Sequence, residues 1–341
     1  MQNSRMLYTI KLSQIKIVYR LLILITLISI QRSLQGQYSE NSVLADGAIY
    51  KVATTQEGIY RLNYAYLRDQ LGINLDEVDP RNIQLFSNGG GLLSENLDGT
   101  SIDDLRENPL LISGEDDGRF DPSDEILFFG QAADKKEWDA SNTSFTKPKN
   151  IYADEVQYFL KIGNSAGARI TSTASSDPHT YISTSFDDYQ RIEEEKVNLL
   201  DDFNSASGTG QLWYGDLFKG LRTRSYVINA DQIVNGESGI FKIVFAARSG
   251  ITSELNASIE GQSYSKLIGS VNLADIEGRY ARLGTTEAPF TTEDETINIE
   301  INYPQNSTNN VGWLDYIDVN FRSALIGTGF PFSDSRSLMH G

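Results

Sequence analysis

Between Ile297 and Tyr303 the chain reads Ile-Asn-Ile-Glu-Ile-Asn-Tyr, a strict alternation of apolar and polar side chains. Successive residues of a β-strand point to opposite faces, so this pattern fits a strand with one dry and one wet face. It cannot form an apolar stripe on a helix, whose period is 3.6. Segments rich in β-branched and aromatic residues recur at Ala48–Val52, Gly58–Leu62, Asn82–Ser87, Glu125–Phe129, Gln157–Ile162, Ser225–Ile228, Gly239–Ala246 and Glu254–Ile259. Turn-forming residues stand between them. The first two flank Thr54-Thr-Gln-Glu57 and are expected to form a hairpin. In the last strand Trp313, Ile317, Val319 and Phe321 share one parity and are expected on a buried face, with Asp315 the odd member. One helix is expected: Asn63 can cap it, Tyr64, Leu67 and Leu71 recur at helical spacing, and Gly72 can end it with a positive φ.

Nothing in the chain shows the regular strand and helix alternation that builds parallel sheets. The expected fold class is therefore all-β, two consecutive β-sandwich-like domains with one short helix in the first. The Ser/Thr/Ala-rich segment Ile170–Thr184 lacks periodicity and marks the boundary. The expected division is an N-terminal β domain at 37–169, a linker at 170–184, a second sandwich at 185–325, and a tail at 326–341.

Residues 1–36 have a basic segment ending at Arg20, an apolar run from Leu21 to Ile30 and a short polar stretch closing at Gly36. A spanning helix needs about 20 apolar residues, twice this run, so the segment reads as a signal peptide cleaved at Gly36–Gln37 and leaves no transmembrane segment. Removing it takes away five basic residues and no acidic one, leaving 24 basic against 46 acidic residues, a net charge of −22. A body that acidic repels phosphate backbones, which excludes nucleic acid as a partner. The chain has no cysteine, so disulfides, thiolate metal sites and thiol nucleophiles cannot come from these residues.

The strings Gly58-Ile-Tyr-Arg-Leu62, Arg81-Asn-Ile-Gln-Leu-Phe-Ser-Asn-Gly-Gly-Gly91, and Gly114-Glu-Asp-Asp-Gly-Arg-Phe-Asp121 leading to Ile126-Leu-Phe-Phe-Gly130 stand in order. With Asn150-Ile-Tyr152 and Tyr158-Phe159 they resemble the N-terminal region of PorU-type sortases, members of the gingipain-type cysteine peptidases, over residues 48 to 163. Gly312-Trp-Leu-Asp-Tyr-Ile317 resembles the end of the sandwich that follows. The resemblance implies a protein of the type IX secretion system at the outer face of the outer membrane. In full-length form it removes the sorting domains of cargo proteins, alongside other cell-surface secretion-system proteins. The family's catalytic domain is caspase-like, carries a His and Cys dyad, and follows the matched region. Here the histidines are His179 and His340 and no cysteine exists. The chain therefore reads as a fragment, a truncated product or a stand-alone N-terminal module, without an assembled catalytic pair. A carbohydrate-binding or adhesin-type β-sandwich is the alternative.

Around Gly118, six carboxylates crowd between Glu115 and Glu125, and Asp116, Asp117, Asp121 and Asp124 are the candidate Ca²⁺ ligands. The spacing departs from the EF-hand loop, and the same residues read as an Asp/Gly turn leading into a strand. No other cofactor is expected. Ser87-Asn-Gly-Gly-Gly91 follows a strand as phosphate loops do, but no Lys-Ser/Thr follows, so a tight turn is expected. Trp213 and Trp313 are expected in the core. Trp138, beside Lys135 and Lys136, is open to either a core or a surface role. Sequons at Asn142, Asn256 and Asn306 are within what chance produces in a chain so rich in Asn, Ser and Thr.

Overall fold

The computed structural model describes residues 41–93, 102–172, 181–199, 212–275, 278–327 and 332–339. The expected leader, His179, His340 and part of the expected linker lie outside them.

Eighteen strands form among the described residues. In the first half they are β1 (Ala48–Thr54), β2 (Gly58–Asn63), β3 (Ile83–Ser87), β4 (Arg106–Asn108), β5 (Leu111–Ile112), β6 (Glu125–Gly130), β7 (Glu137–Asp139), β8 (Ser144–Thr146) and β9 (Val156–Ile162). They are followed by β10 (Ser185–Glu193), β11 (Leu217–Phe218), β12 (Thr223–Asn229), β13 (Ser238–Arg248), β14 (Ser253–Ile259), β15 (Gln262–Ile268), β16 (Arg282–Thr291), β17 (Thr296–Asn302) and β18 (Val311–Ala324). The fold is all-β and sandwich-like, as expected.

In the first half, one sheet runs in the order β1-β9-β3-β4 and a second in the order β2-β6-β5, with β7 and β8 as a separate hairpin. Val52, Leu85, Tyr158 and Leu160 from the first sheet pack on Leu62, Ile126 and Phe128 from the second. The short helix is a single wide turn at Tyr66–Gln70. Asn63 Oδ1 accepts from the Tyr66 amide at 2.9 Å, Leu67 is fully buried, and Gly72 follows at φ +69. All three signals are therefore used as read.

The expected hairpin does not form. β1 pairs with β9 and β2 with β6, so the chain changes sheets between them. Local bonds hold that corner: Thr54 Oγ1 donates to the Gln131 carbonyl at 2.6 Å and Tyr60 Oη to the Gln56 carbonyl at 2.9 Å.

The second half is a sandwich of two antiparallel sheets, β10-β18-β13-β16 with β11 beside β18, and β12-β17-β14-β15. Ile297, Ile299 and Ile301 of β17 point inward as the alternation requires. They meet Phe241, Ile243 and Phe245 of β13 and Ile317, Val319 and Phe321 of β18. This core and that of the first half share no residue.

The last strand departs from simple parity. Phe245 lies opposite Leu314 and Val244 opposite Tyr316, so Asp315 is the extra residue of a β-bulge. A bulge inserts one residue and reverses which side chains face inward beyond it. Leu314 therefore joins the main core, whereas Trp313 is buried on the opposite face with Tyr214 and Ala246. The expected face is correct for Ile317, Val319 and Phe321 and reversed for Trp313.

Among the described residues no helix is long and apolar enough to cross a membrane.

Next to the bulge, Gly312 lies against the Phe245 ring: a Cβ there would stand 2.3 Å from two of its carbons. Crowding a packed core costs about 1–3 kcal/mol. Gly312→Ala is therefore expected to lower the melting temperature by several degrees in a thermal scan, on the order of 2–4 °C per kcal/mol for a chain of this size. An unchanged melting temperature would show that this packing is looser than the geometry describes.

Candidate functional site on the outer face of the last strand

A strand with one face in the core should leave its other face wet. β18 does not: from Gly312 to Ser323 only Tyr316 and Asn320 are more than slightly exposed. Its outer face carries Tyr316, Asp318, Asn320 and Arg322, alternating with the core residues Ile317, Val319 and Phe321. Beside it, β10 presents Asp187, Tyr189, Arg191 and Glu193 in register, with Arg191 opposite Asp318. A polar ladder thus lies between the sandwich and the segments that cover it.

Three segments form that cover. The β8 end lies on the middle of the ladder: the Phe145 amide donates to Asn320 Oδ1 at 2.6 Å, and Asn320 Nδ2 returns a bond to the Phe145 carbonyl at 3.2 Å. The chain after β8 brings Lys147 and Lys149. Residues 332–337 close one end, where the Asp187 amide donates to the Ser333 carbonyl at 2.8 Å and Asp187 Oδ2 accepts from the Ser335 amide at 2.6 Å.

The centre is an ion pair. Arg191 Nε and Nη2 donate to the two oxygens of Asp318 at 2.6 and 2.8 Å, and Tyr189 Oη adds a third bond to Asp318 at 2.6 Å. Arg191 Nη1 reaches across to the Lys147 carbonyl at 2.7 Å, and its guanidinium stacks on Tyr316, 3.9 Å from the ring centroid. The Asp318 side chain is 3% exposed and that of Arg191 9%. Burial and the neighbouring Asp318 charge push the Tyr189 hydroxyl well above its ordinary pKa. Burial opposes the charge on Arg191, but its bonds to Asp318 outweigh that and hold it firmly protonated. A second buried pair repeats the pattern at the ladder's end, where Arg322 Nη1 lies 2.7 Å from Asp187 and 3.0 Å from Asp334.

Asp315 stands apart from this ion-paired network. It is 8% exposed, and among the described residues no hydrogen bond or ion pair reaches its carboxyl. Burial, followed by repulsion from Glu193, pushes its pKa up to about 7. Glu193 is raised by burial too, against the pull of Arg191 and Lys149. Lys149 bridges Asp134 at 3.3 Å and Glu195 at 3.4 Å.

The residues singled out in the sequence lie elsewhere. Asp116 and Asp117 form a tight turn between Gly114 at φ +80 and Gly118 at φ +77. Asp117 accepts from the Arg119 amide at 2.9 Å, and Asp124 accepts from the Asp121 amide at 2.8 Å. Gly114 leaves the space that Asp124 fills, since a Cβ there would meet Asp124 Oδ1 at 2.0 Å. Two of the four candidate calcium ligands, Asp117 and Asp124, thus accept from backbone amides of their own loop. Among the described residues no three His, Asp or Glu side chains come together in a way that could hold a metal ion.

The glycine loop is closed against the protein: the Gly90 amide donates to Gln131 Oε1 at 2.6 Å and the Gly91 amide to the Ala133 carbonyl at 2.9 Å. Trp213, expected in the core, is 45% exposed. Trp138 packs edge-on against Phe145, 5.0 Å between centroids, at the ladder's margin.

No protein-family model matches the sequence, and no curated protein matches it. Among solved structures the chain is similar to dimeric latent PorU from Porphyromonas gingivalis, with a TM-score of 0.67 at 19% identity. The match covers 87% of this chain and 26% of that one, so the chain spans about a quarter of the length of that protein. The shared property is the fold. A carbohydrate-binding module, CBM35 from Cellvibrio japonicus Abf62, overlaps 33% of this chain and 70% of its own at 10% identity and a TM-score of 0.21. A CBM36 module in complex with calcium and xylotriose overlaps 28% of this chain and 71% of its own at 14% identity and the same TM-score. Likenesses of that strength say nothing further about this chain.

Asp315 links stability to pH. The folded chain keeps its proton up to about pH 7, whereas an unfolded carboxyl releases it near pH 4. Between those values the unfolded state binds fewer protons, so rising pH lowers stability until the folded pKa is passed. Asp315→Asn removes this dependence. Its stability relative to the parent is expected to climb between pH 4 and pH 7, reaching on the order of 1–3 kcal/mol at pH 8 by denaturant titration. A difference that stays flat across that window would contradict the assignment.

Proposed function

We propose that this chain is the non-catalytic N-terminal scaffold and docking region of a PorU-like sortase, a cell-surface cysteine peptidase of the gingipain type. In full-length form such a protein removes the sorting domains of type IX secretion cargo. One observation carries this reading: the fold shared with PorU extends over 87% of the chain at a TM-score of 0.67. It agrees with the ordered motifs from Gly58 to Gly130. In the proposal the division falls as the sequence suggests, with β domains at 37–169 and 185–325 and a linker at 170–184. Export uses the leader at 1–36, and the location is the outer face of the outer membrane.

The chemistry of the chain fits a supporting role. Peptide cleavage by this family needs a thiolate and a base, and there is no cysteine here to supply the first. What the chain offers is a rigid platform. The Arg191–Asp318 and Arg322–Asp187 pairs join segments distant in sequence into one body, and rigid elements hold an attached catalytic unit or a secretion-system partner in fixed orientation. The partners in this reading are the catalytic domain itself and other cell-surface proteins of the secretion system.

Two measurements test it together. Purified residues 37–341 are expected to leave a sorting-domain substrate uncut. The reading frame past Gly341 is expected to continue into a domain carrying a His and a Cys. Cleavage by the purified chain, or a frame that stops at Gly341, would overturn the proposal.

A further inference from the structure

Where the ladder ends at the β18 bulge, Lys149, Glu193, Lys242, Trp213 and Asp315 line a hollow of about 240 Å³, open on one side. At about 30 Å³ per water this holds roughly eight waters, room for one sugar-sized ring rather than for a helix or an extended peptide. Its floor holds the carboxyl of Asp315, a residue 8% exposed whose carboxyl faces the hollow and has no partner among the described residues. A carboxyl that no protein group bonds and that faces the hollow is available to hydrogen-bond a ligand there. On the rim, Trp213 presents an indole that is 45% exposed. Large exposed rings beside convergent polar groups are a mark of binding sites.

The donor and acceptor pattern narrows the ligand. A simple anion would be repelled by Glu193 and Glu195, and a simple cation by Lys149 and Lys242. Hydroxyl groups, which both donate and accept, suit a wall that alternates carboxylates with ammonium groups. The C–H face of a pyranose carries slight positive charge and complements the negative face of the indole ring. Lys242 is held only loosely, 3.9 Å from Glu287, and is free to turn toward a ligand.

We propose that this hollow binds one neutral sugar ring at the end of a glycan, stacked on Trp213 and hydrogen-bonded by Asp315, Glu193 and Lys242. The site is separate from the scaffold role and does not rest on it.

The test applies residues 37–341 to an array of immobilised oligosaccharides ending in glucose, galactose, mannose, fucose or N-acetylglucosamine. Retention on at least one terminal sugar is expected. Trp213→Ala should weaken it by roughly tenfold or more, and Trp213→Phe by less. Trp138→Ala, at the far side of the ladder, should bind as the parent does. Competition by soluble oligosaccharide or by detergent-dispersed lipopolysaccharide tells which kind of glycan supplies the ring, and either supports the site. Absence of binding to every sugar, unchanged binding by a folded Trp213→Ala, or an equal loss in Trp138→Ala would overturn it.

Discussion

The contact on which the structure turns is the buried pair of Arg191 and Asp318. Taking two charges out of water is expensive, and their attraction repays it only when geometry is good and the remaining donors and acceptors are filled. Here both conditions hold: Asp318 accepts from Tyr189 as well as twice from Arg191, and the guanidinium spends another N–H on the Lys147 carbonyl. The last of these bonds matters for architecture. It comes from the segment after the β7–β8 hairpin, so lifting that segment off the sandwich would leave a buried arginine incompletely bonded. Such a loss is costly enough to favour one arrangement over a range of them.

The neighbouring features follow from the same strand. A bulge at Asp315 re-aims the side chains on either side of it, which sends Trp313 to the outer face and leaves a carboxyl buried without a bond among the described residues. Along the ladder the carboxylates of Asp187 and Asp318 are paired with arginines; at the bulge the Asp315 carboxyl has no partner among the described residues. A satisfied network is rigid and silent, whereas an unsatisfied buried group marks a place where something else can bind or a proton can be held. The two halves of the ladder therefore suit different tasks, one holding segments together and the other facing a hollow.

Much of this fold was readable from the residues. The period-two pattern of β17 and the turn chemistry between strands led to an all-β sandwich, and Asn63, Leu67 and Gly72 marked the single helical turn. The ladder was not readable, for a physical reason. Asp318, Asn320 and Arg322 alternate with Val319 and Phe321 as the wet face of a strand would, and nothing local says that Phe145, 175 positions away, will cover it. A signal did exist in the pairing of charged residues on two strands, Arg191 and Asp318, but register across β10 and β18 cannot be read from alternation alone. The Asp-rich loop is the opposite case, a local one. Its acids are close in sequence, yet backbone amides within the same turn take up Asp117 and Asp124. Trp213 was misplaced because large rings are usually core, and only the three-dimensional path shows this one left half open.

The central claim is that the ion-paired ladder fixes the β1–β9 sheets against the β10–β18 sandwich as one body. Residual dipolar couplings measured on the full chain in a weakly aligning medium test it directly. The account predicts that couplings from residues 48–162 and from residues 217–324 fit one common alignment tensor. Two tensors that differ in magnitude or orientation would mean that the halves move independently, and would contradict it.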